Sequence, residues 1–294
     1  MNILSLFDGI SCGMIALERA GIKVDTYYAS EIEPLALSIS KKNYPGIVQL
    51  GDVTKWREWD IDWKAIDLLI GGSPCQGFSS SGKELNFNDP RSKLFFEFSD
   101  ILNHIKKHNA NIKFMLENVK MKNEWSNVIS HYLGVDYVEI NSRYFSAQNR
   151  VRYYWANFEI NPYKDKGIIL EDIIEDDYIH SAAQRTRPIA SENHRKSLCL
   201  EVHGIEKSMC LVTVNLNNLL SPLPKGKYID VKQNSYPFRV MTPTEMERLQ
   251  TVPNGYVGDI GSNKAAKVLG NGWTVDVIAH ILSTISRSDN SKCT

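Results

Sequence analysis

Apolar and polar positions alternate along the first half of the chain in blocks that read in turn as strands and helices. Ile3-Leu4-Ser5-Leu6-Phe7 is a short apolar strand, Asp8-Gly9 a turn, and Ser11 to Ala20 has helical character, so the chain opens with a βα unit. Tyr27-Tyr28-Ala29-Ser30, Asp67-Leu68-Leu69-Ile70 and Phe114-Met115-Leu116-Glu117-Asn118-Val119 predict further strands. Pro34 to Asn43 and Ser92 to His108 predict helices between them. Strands alternating with helices predict an α/β fold on a twisted, mostly parallel sheet over residues 1 to about 158.

Two of these strands carry chemistry at their carboxyl ends, where open α/β folds keep their sites. The run ending at Ile70 leads into Gly71-Gly72-Ser73-Pro74-Cys75-Gln76-Gly77-Phe78-Ser79, a tight turn that presents a thiol. A structural cysteine more often sits inside an apolar run, without flanking glycines and proline. The next run delivers Glu117 to the same edge, either as an acid working with the thiol or as a carboxylate capping a helix. Thiol and acid together suit attack on a pyrimidine. A thiolate adding at carbon 6 of cytosine turns carbon 5 into an enamine carbon, and protonation or hydrogen bonding at ring nitrogen 3 eases the addition. A stacked base is out of reach of both groups and has to be flipped into the pocket.

With 294 residues and 43% hydrophobic content, the chain is long enough for one full core and a small second domain. No stretch approaches a membrane-spanning length, and the first strand is entered without a basic leader, so the protein is expected to be cytoplasmic, in a bacterial or phage-infected cell, or to act wherever its DNA is. Five cysteines without close pairs argue against a disulfide framework and a zinc ribbon, and His194, Cys199, His203 and Cys210 fit no familiar metal template, so no metal is expected. The formal net charge of zero says little about DNA, but from His180 onward Arg185, Arg187, Arg195 and Lys196, and later Lys225, Lys227 and Lys232, form a locally basic stretch.

The chain resembles the DNA (cytosine-5) methyltransferases over nearly its whole length, in the family's motif order. The motifs are Leu4-Ser5-Leu6-Phe7-Asp8-Gly9, Ala29-Ser30-Glu31-Ile32, Gly51-Asp52-Val53, Pro74-Cys75-Gln76, Glu117-Asn118-Val119 and Gln148-Asn149-Arg150-Val151-Arg152. Met241-Thr242-Pro243-Thr244-Glu245 with Arg248-Leu249-Gln250, and then Leu269-Gly270-Asn271-Gly272, complete the set. The resemblance implies a Rossmann-like S-adenosylmethionine-dependent methyltransferase fold with a small target-recognition domain. It implies S-adenosyl-L-methionine as donor, held by Phe7, Asp8, Gly9, Glu31, Ile32, Asp52, Val53, Pro74, Leu94, Asn271 and Trp273, with Glu31 on the ribose hydroxyls, Ile32 on the adenine and Asp52 on its amine. Helix capping by Glu31 and a turn role for Asp52 are the ordinary alternatives. Cys75 is then the nucleophile, supported by Gln76; Glu117 and Arg152 polarise the base and Arg150 supports the catalytic loop. On one strand the two arginines would face the same side. Ser11 stands where the family usually has its second glycine, a departure shared with the animal de novo enzymes.

The same resemblance implies a discontinuous catalytic domain, 1–158 and 238–290, an acidic connector 159–179 with a short helix packed on that domain, and a reader at 180–237. Ser79, Ser81, Arg185, Arg187, Arg195 and Lys196 are the expected contacts to double-stranded DNA. A restriction enzyme would be a separate chain, and the protein a monomer or homodimer. An RNA methyltransferase of the same fold is the alternative; its Cys-Phe-Thr signature is matched only by Cys210-Leu211-Val212-Thr213. A noncatalytic homologue is disfavoured because Cys75 and Glu117 are both present.

Overall fold

The apolar runs become strands where expected. The computed structural model describes residues 1–74, 93–188, 196–213, 218–229 and 236–290. In chain order the elements are β1 (Asn2–Leu6), α1 (Cys12–Arg19), β2 (Thr26–Ser30), α2 (Pro34–Asn43), β3 (Val48–Gln49), β4 (Leu68–Gly72), α3 (Lys93–His108), β5 (Lys113–Val119), α4 (Asn123–Leu133), β6 (Tyr137–Asn141) and β7 (Val151–Ala156). After these come β8 (His180–Pro188), β9 (Lys196–Val202), β10 (Leu219–Ser221), β11 (Gly226–Ile229), β12 (Arg239–Val240), α5 (Pro243–Leu249), α6 (Gly261–Asn271) and α7 (Val275–Asn290).

The chain forms two compact units, the first made of Met1–Asn141, Val151–Tyr163 and Val275–Thr294. Its sheet has the order β3-β2-β1-β4-β5-β7-β6, with β7 antiparallel to both neighbours and the rest parallel. Strands buried on both faces read as continuous apolar runs, as in Leu68-Leu69-Ile70. The helix α3 buries Phe95, Phe98, Ile101, Leu102 and Ile105, a stripe at helical spacing that lies on one core with Leu4, Leu69, Phe114 and Leu116. Gly71 makes that packing possible: a Cβ there would stand 3.1 Å from both the Leu6 carbonyl and the Phe98 ring. The last helix, α7, returns to this unit and packs on α1, where Arg19 and Asp276 pair at 2.6 Å.

The second unit comprises Ser142–Arg150 and Lys164–Thr274. Its antiparallel sheet, β11-β9-β8-β10-β12, covers a small core of Ala182, Leu200, Val202 and Leu219. These boundaries differ from those expected at 158, 180 and 237, because buried polar side chains stitch distant motifs together. Gln148 donates to the Leu249 carbonyl at 2.6 Å and to Gln250 at 2.9 Å, and accepts from the Leu211 amide at 3.1 Å. Gln250 in turn donates to the Leu269 carbonyl and accepts from Thr274. Residues 142–150 and 238–274 therefore fold with the second unit, and only the segment from Val275 rejoins the first.

The acidic connector is also corrected. It holds a single 3-10 turn, Leu170–Asp172, in place of the expected helix, and is divided between the units, 159–163 in the first and 164–179 in the second. Its carboxylates find cations there. Asp176 pairs with Arg239 at 2.7 Å, Arg239 also grips the buried Glu245, and Arg248 donates to the Ile173 carbonyl. Among the described residues no helix is long and apolar enough to cross a membrane.

Candidate active site

Because β1 to β5 run parallel, the loops that follow them emerge at one edge, and every expected first-unit site residue that is described falls there. The loop after β1 is tightly wound: Phe7, Gly9 and Ser11 all have φ near +60° (58°, 60° and 62°). Left-handed backbone favours glycine and costs a side-chained residue about 1 kcal/mol or more, so it survives only where neighbours hold it. Here Asp8 does the holding. Its carboxylate is turned into the protein, accepting from Ser5 and Tyr27 on one oxygen at 2.6 and 2.7 Å and from Ser11 on the other at 2.6 Å. Ser11 is linked on to Ser40 at 2.7 Å. The serine that replaces the family's glycine is thus compensated by hydrogen bonds. Burial raises the Asp8 carboxyl above the ordinary carboxylate range, and the three hydroxyl donors oppose that rise.

Glu31 closes the loop from the next strand. One of its oxygens accepts the Gly9 amide at 2.8 Å, and the other accepts the amides of Ile32 and Glu33 at 2.7 and 2.8 Å. These bonds order the turn ahead of α2 and tie Glu31 to the β1 loop; the N-cap of α2 is Glu33, and it carries no side-chain cap bond. Ile32 beside it is 68% exposed, an apolar side chain left uncovered. Asp52 accepts from the amide and hydroxyl of Thr54, both at 2.9 Å, which holds its carboxyl below the usual range. Its turn role is real, and its other oxygen makes no hydrogen bond with a described residue. Phe7, Val53 and Leu94 pack on the core below, and Pro74 ends the described part of the loop after β4.

One strand further along, register places Gly72 of β4 opposite Glu117 of β5, and Val119 opposite Arg152 of β7. Glu117 and Arg152 form an ion pair, Nε to Oε1 at 3.0 Å, with side chains only 12% and 14% exposed. A second arginine donor is steadied by the Val151 carbonyl. Asn118, quoted in the motif without a role, donates to the Ser73 hydroxyl at 3.0 Å, gripping the turn two residues before Cys75. Acid, arginine and the approach to the thiol are thereby set on adjacent strands. Cys75, Gln76, Ser79, Ser81 and Arg195 lie outside the described residues.

The pairing expected for the two arginines is not found. Arg150 precedes β7, so it does not share a strand with Arg152, and it belongs to the second unit. Its buried guanidinium donates to the carbonyls of Leu211, Gly270 and Gly272 at 3.2, 3.2 and 2.9 Å and to the Cys210 sulfur at 3.3 Å. Arg150 is a clasp for the Gly270–Gly272 turn, a role that spacing alone could not reveal. In that turn Asn271 is exposed, while Trp273 is buried. Of the expected DNA contacts, Arg185 is paired with Glu201 at 3.5 Å across β8 and β9, the solvated-edge role of many sheet arginines. Arg187 lies on β8 and Lys196 opens β9.

Comparison with known proteins agrees with this geometry. The family model for C-5 cytosine-specific DNA methylases matches residues 1–159 and 163–287. Type II methyltransferase M1.ScrFI of Lactococcus lactis subsp. cremoris is 30% identical over 94% of this chain and 76% of its own length. Type II methyltransferase M.SsoII of Shigella sonnei is 29% identical over 97% and 79%. Among solved structures, the methyltransferase EhMeth of Entamoeba histolytica superposes with a TM-score of 0.69 over 98% of both chains at 17% identity, a likeness of fold. The motif order, the parallel sheet with its single reversed strand, and the Glu117–Arg152 pair at its edge accord with these matches: the chain belongs to the C-5 cytosine-specific DNA methylase family.

Proposed function

We propose that the protein methylates carbon 5 of a cytosine flipped out of double-stranded DNA, with S-adenosyl-L-methionine as donor and Cys75 as nucleophile. The observation that carries this reading is the Glu117–Arg152 pair, set one strand from the turn that leads into Cys75. The Cys75 sulfur, as thiolate, bonds to carbon 6, and Glu117, taking its acid form against the bound base, donates a hydrogen bond or proton at nitrogen 3 while Arg152 keeps its side chain in place. Carbon 5 then takes the methyl group, a proton leaves carbon 5, and expulsion of the thiolate restores the ring. Arg152 also serves the pyrimidine oxygen. Bound donor supplies an electrophilic methyl group and is left as S-adenosyl-L-homocysteine.

The donor residues fit such a group. Ile32 offers an uncovered apolar face beside the carboxylate of Glu31, and Asp52 keeps an oxygen for an amine. The proposed roles of Asn271 and Trp273 at the donor, of Gln76 beside the nucleophile, and of Ser79, Ser81, Arg187, Arg195 and Lys196 on DNA rest on the motif resemblance and local charge. Arg150 acts through the turn it clasps. A cytoplasmic setting, and a cognate restriction enzyme as a separate chain, belong to this proposal, and the likeness to type II methyltransferases supports them.

The test is transfer of a tritiated methyl group to unmethylated genomic DNA and, in parallel, to transfer RNA, with base-resolution sequencing of the product. Label on DNA cytosines in a fixed context is expected, and Cys75→Ser abolishes it. Label on RNA alone would refute the DNA substrate, and full activity of Cys75→Ser would remove the covalent step.

A further inference from the structure

The second unit holds a cavity of about 790 Å³ that no step of methyl transfer uses. Its walls come from the segment before β7, through Arg143 and Asn149, from the strap after β9, through His203, Glu206 and Lys207, and from Lys225 ahead of β11. Three of these residues are cations and one is a carboxylate, so the lining is positive even with its imidazole neutral. That excess is built in. Lys207 spends its ammonium protons on the carbonyls of Arg143, Ser146 and Ile168, which anchors its charge at the wall. Lys225 is exposed and makes no ion pair with a described residue.

His203 supplies a second, independent sign. Its Nε2 is shielded from solvent and has no hydrogen-bond partner among the described residues. Buried polar atoms are normally satisfied. Burial, then Arg185, pushes this ring toward its neutral form, with Lys225 acting the same way and Glu201 opposing. An anion in the cavity would reverse that balance, giving the ring a charge and Nε2 an acceptor. The site also lies away from the end of β8 that bears Arg187, whose partner across the sheet is Ser197. From Ser197 to His203 the chain covers about 20 Å at strand rise.

We infer that this cavity binds a phosphate group through Lys225, His203 and Arg143, apart from the cytosine pocket. The phosphate is either a diester of the DNA backbone or that of a free small molecule, and the chemistry of the wall is the same for both. This inference does not depend on the methyl-transfer reading.

The experiment uses the full chain and the double variant His203→Gln with Lys225→Ala, with Lys227→Ala, an exposed charge outside the cavity, as the control for bulk electrostatics. Duplex DNA binding is measured against salt concentration, and inorganic pyrophosphate is titrated by calorimetry in the absence of DNA. Each phosphate contact contributes about 0.9 to the slope of log affinity against log salt. A slope shallower by about that amount in the double variant, with Lys227→Ala near wild type, identifies a DNA phosphate. An unchanged slope with pyrophosphate heat present in wild type and absent in the double variant identifies a free phosphate. If neither readout separates the double variant from wild type, or if Lys227→Ala matches its loss, the inference is wrong. Methyl transfer by the wild-type protein, assayed alongside, tests the catalytic reading separately.

Discussion

Arg152→Met probes the centre of the proposed site most directly, because the arginine and Glu117 are both largely withdrawn from water. Removing one partner of a buried pair leaves an uncompensated charge and costs about 3–5 kcal/mol. With 12% and 14% of the side chains still exposed, the lower end applies, about 3 kcal/mol. At roughly 2–4 °C per kcal/mol for a unit of this size, the melting temperature falls by about 6–12 °C. Glu117→Gln combined with Arg152→Met leaves no stranded carboxylate, so the double variant loses less than the two single variants summed, by about 2 kcal/mol. Differential scanning calorimetry on the four proteins gives that coupling. Single-turnover methyl transfer supplies the functional arm: loss of one aligned donor lowers the rate about 10²–10³-fold, and the double variant is little worse because the residues act as a unit. Additive stability losses would refute the pair as an energetic unit. A single-turnover rate for Arg152→Met within about threefold of wild type would remove the arginine from the chemistry.

Arg150→Lys keeps the charge but cannot reach four acceptors on two chain segments, so the second unit loses about 2–4 kcal/mol in urea unfolding; an unchanged midpoint contradicts the clasp. Gly270→Ala places a methyl group 2.9 Å from the Val212 carbonyl carbon and 3.0 Å from the Thr213 nitrogen, both backbone, and costs about 1–3 kcal/mol by the same measurement. Asp8→Asn has a pH signature. Folding raises the Asp8 carboxyl, so the folded state binds its proton more tightly than the unfolded chain does. The stability this group contributes is complete below the ordinary aspartate value, about 3.9, and declines as pH rises through the raised folded value. The variant therefore gains relative to wild type as pH rises from about 3.9 through the raised folded value, and a pH-independent difference in urea unfolding would exclude a raised Asp8.

Much of the first unit was legible in the sequence because buried parallel strands need continuous apolar runs, and turn chemistry marks where each one ends. The helix at Pro34–Asn43 begins and ends as patterned, and α3 ends at His108 as expected. Ile32 and Glu117 fall on the edge anticipated from strand order. The second unit was harder. Short antiparallel strands and polar loops carry little periodicity, and what binds residues 142–150 to 238–274 is a set of side-chain to backbone hydrogen bonds spanning about a hundred residues. Trp273 illustrates the cost of reading a motif alone: because it is buried, truncating it to alanine perturbs packing as well as any donor contact.

Residue type and order by themselves determined which elements form, which strand ends bear the acid and the thiol, and the family to which the chain belongs. They did so because periodicity, turns and motif order are local properties. Only the tertiary structure decided that Asp8 faces inward and secures a strained loop, that Glu117 meets Arg152, and where the chain divides into its units. Those outcomes depend on which buried donor finds which acceptor. Desolvation makes that choice strict, and the partners lie far apart in sequence.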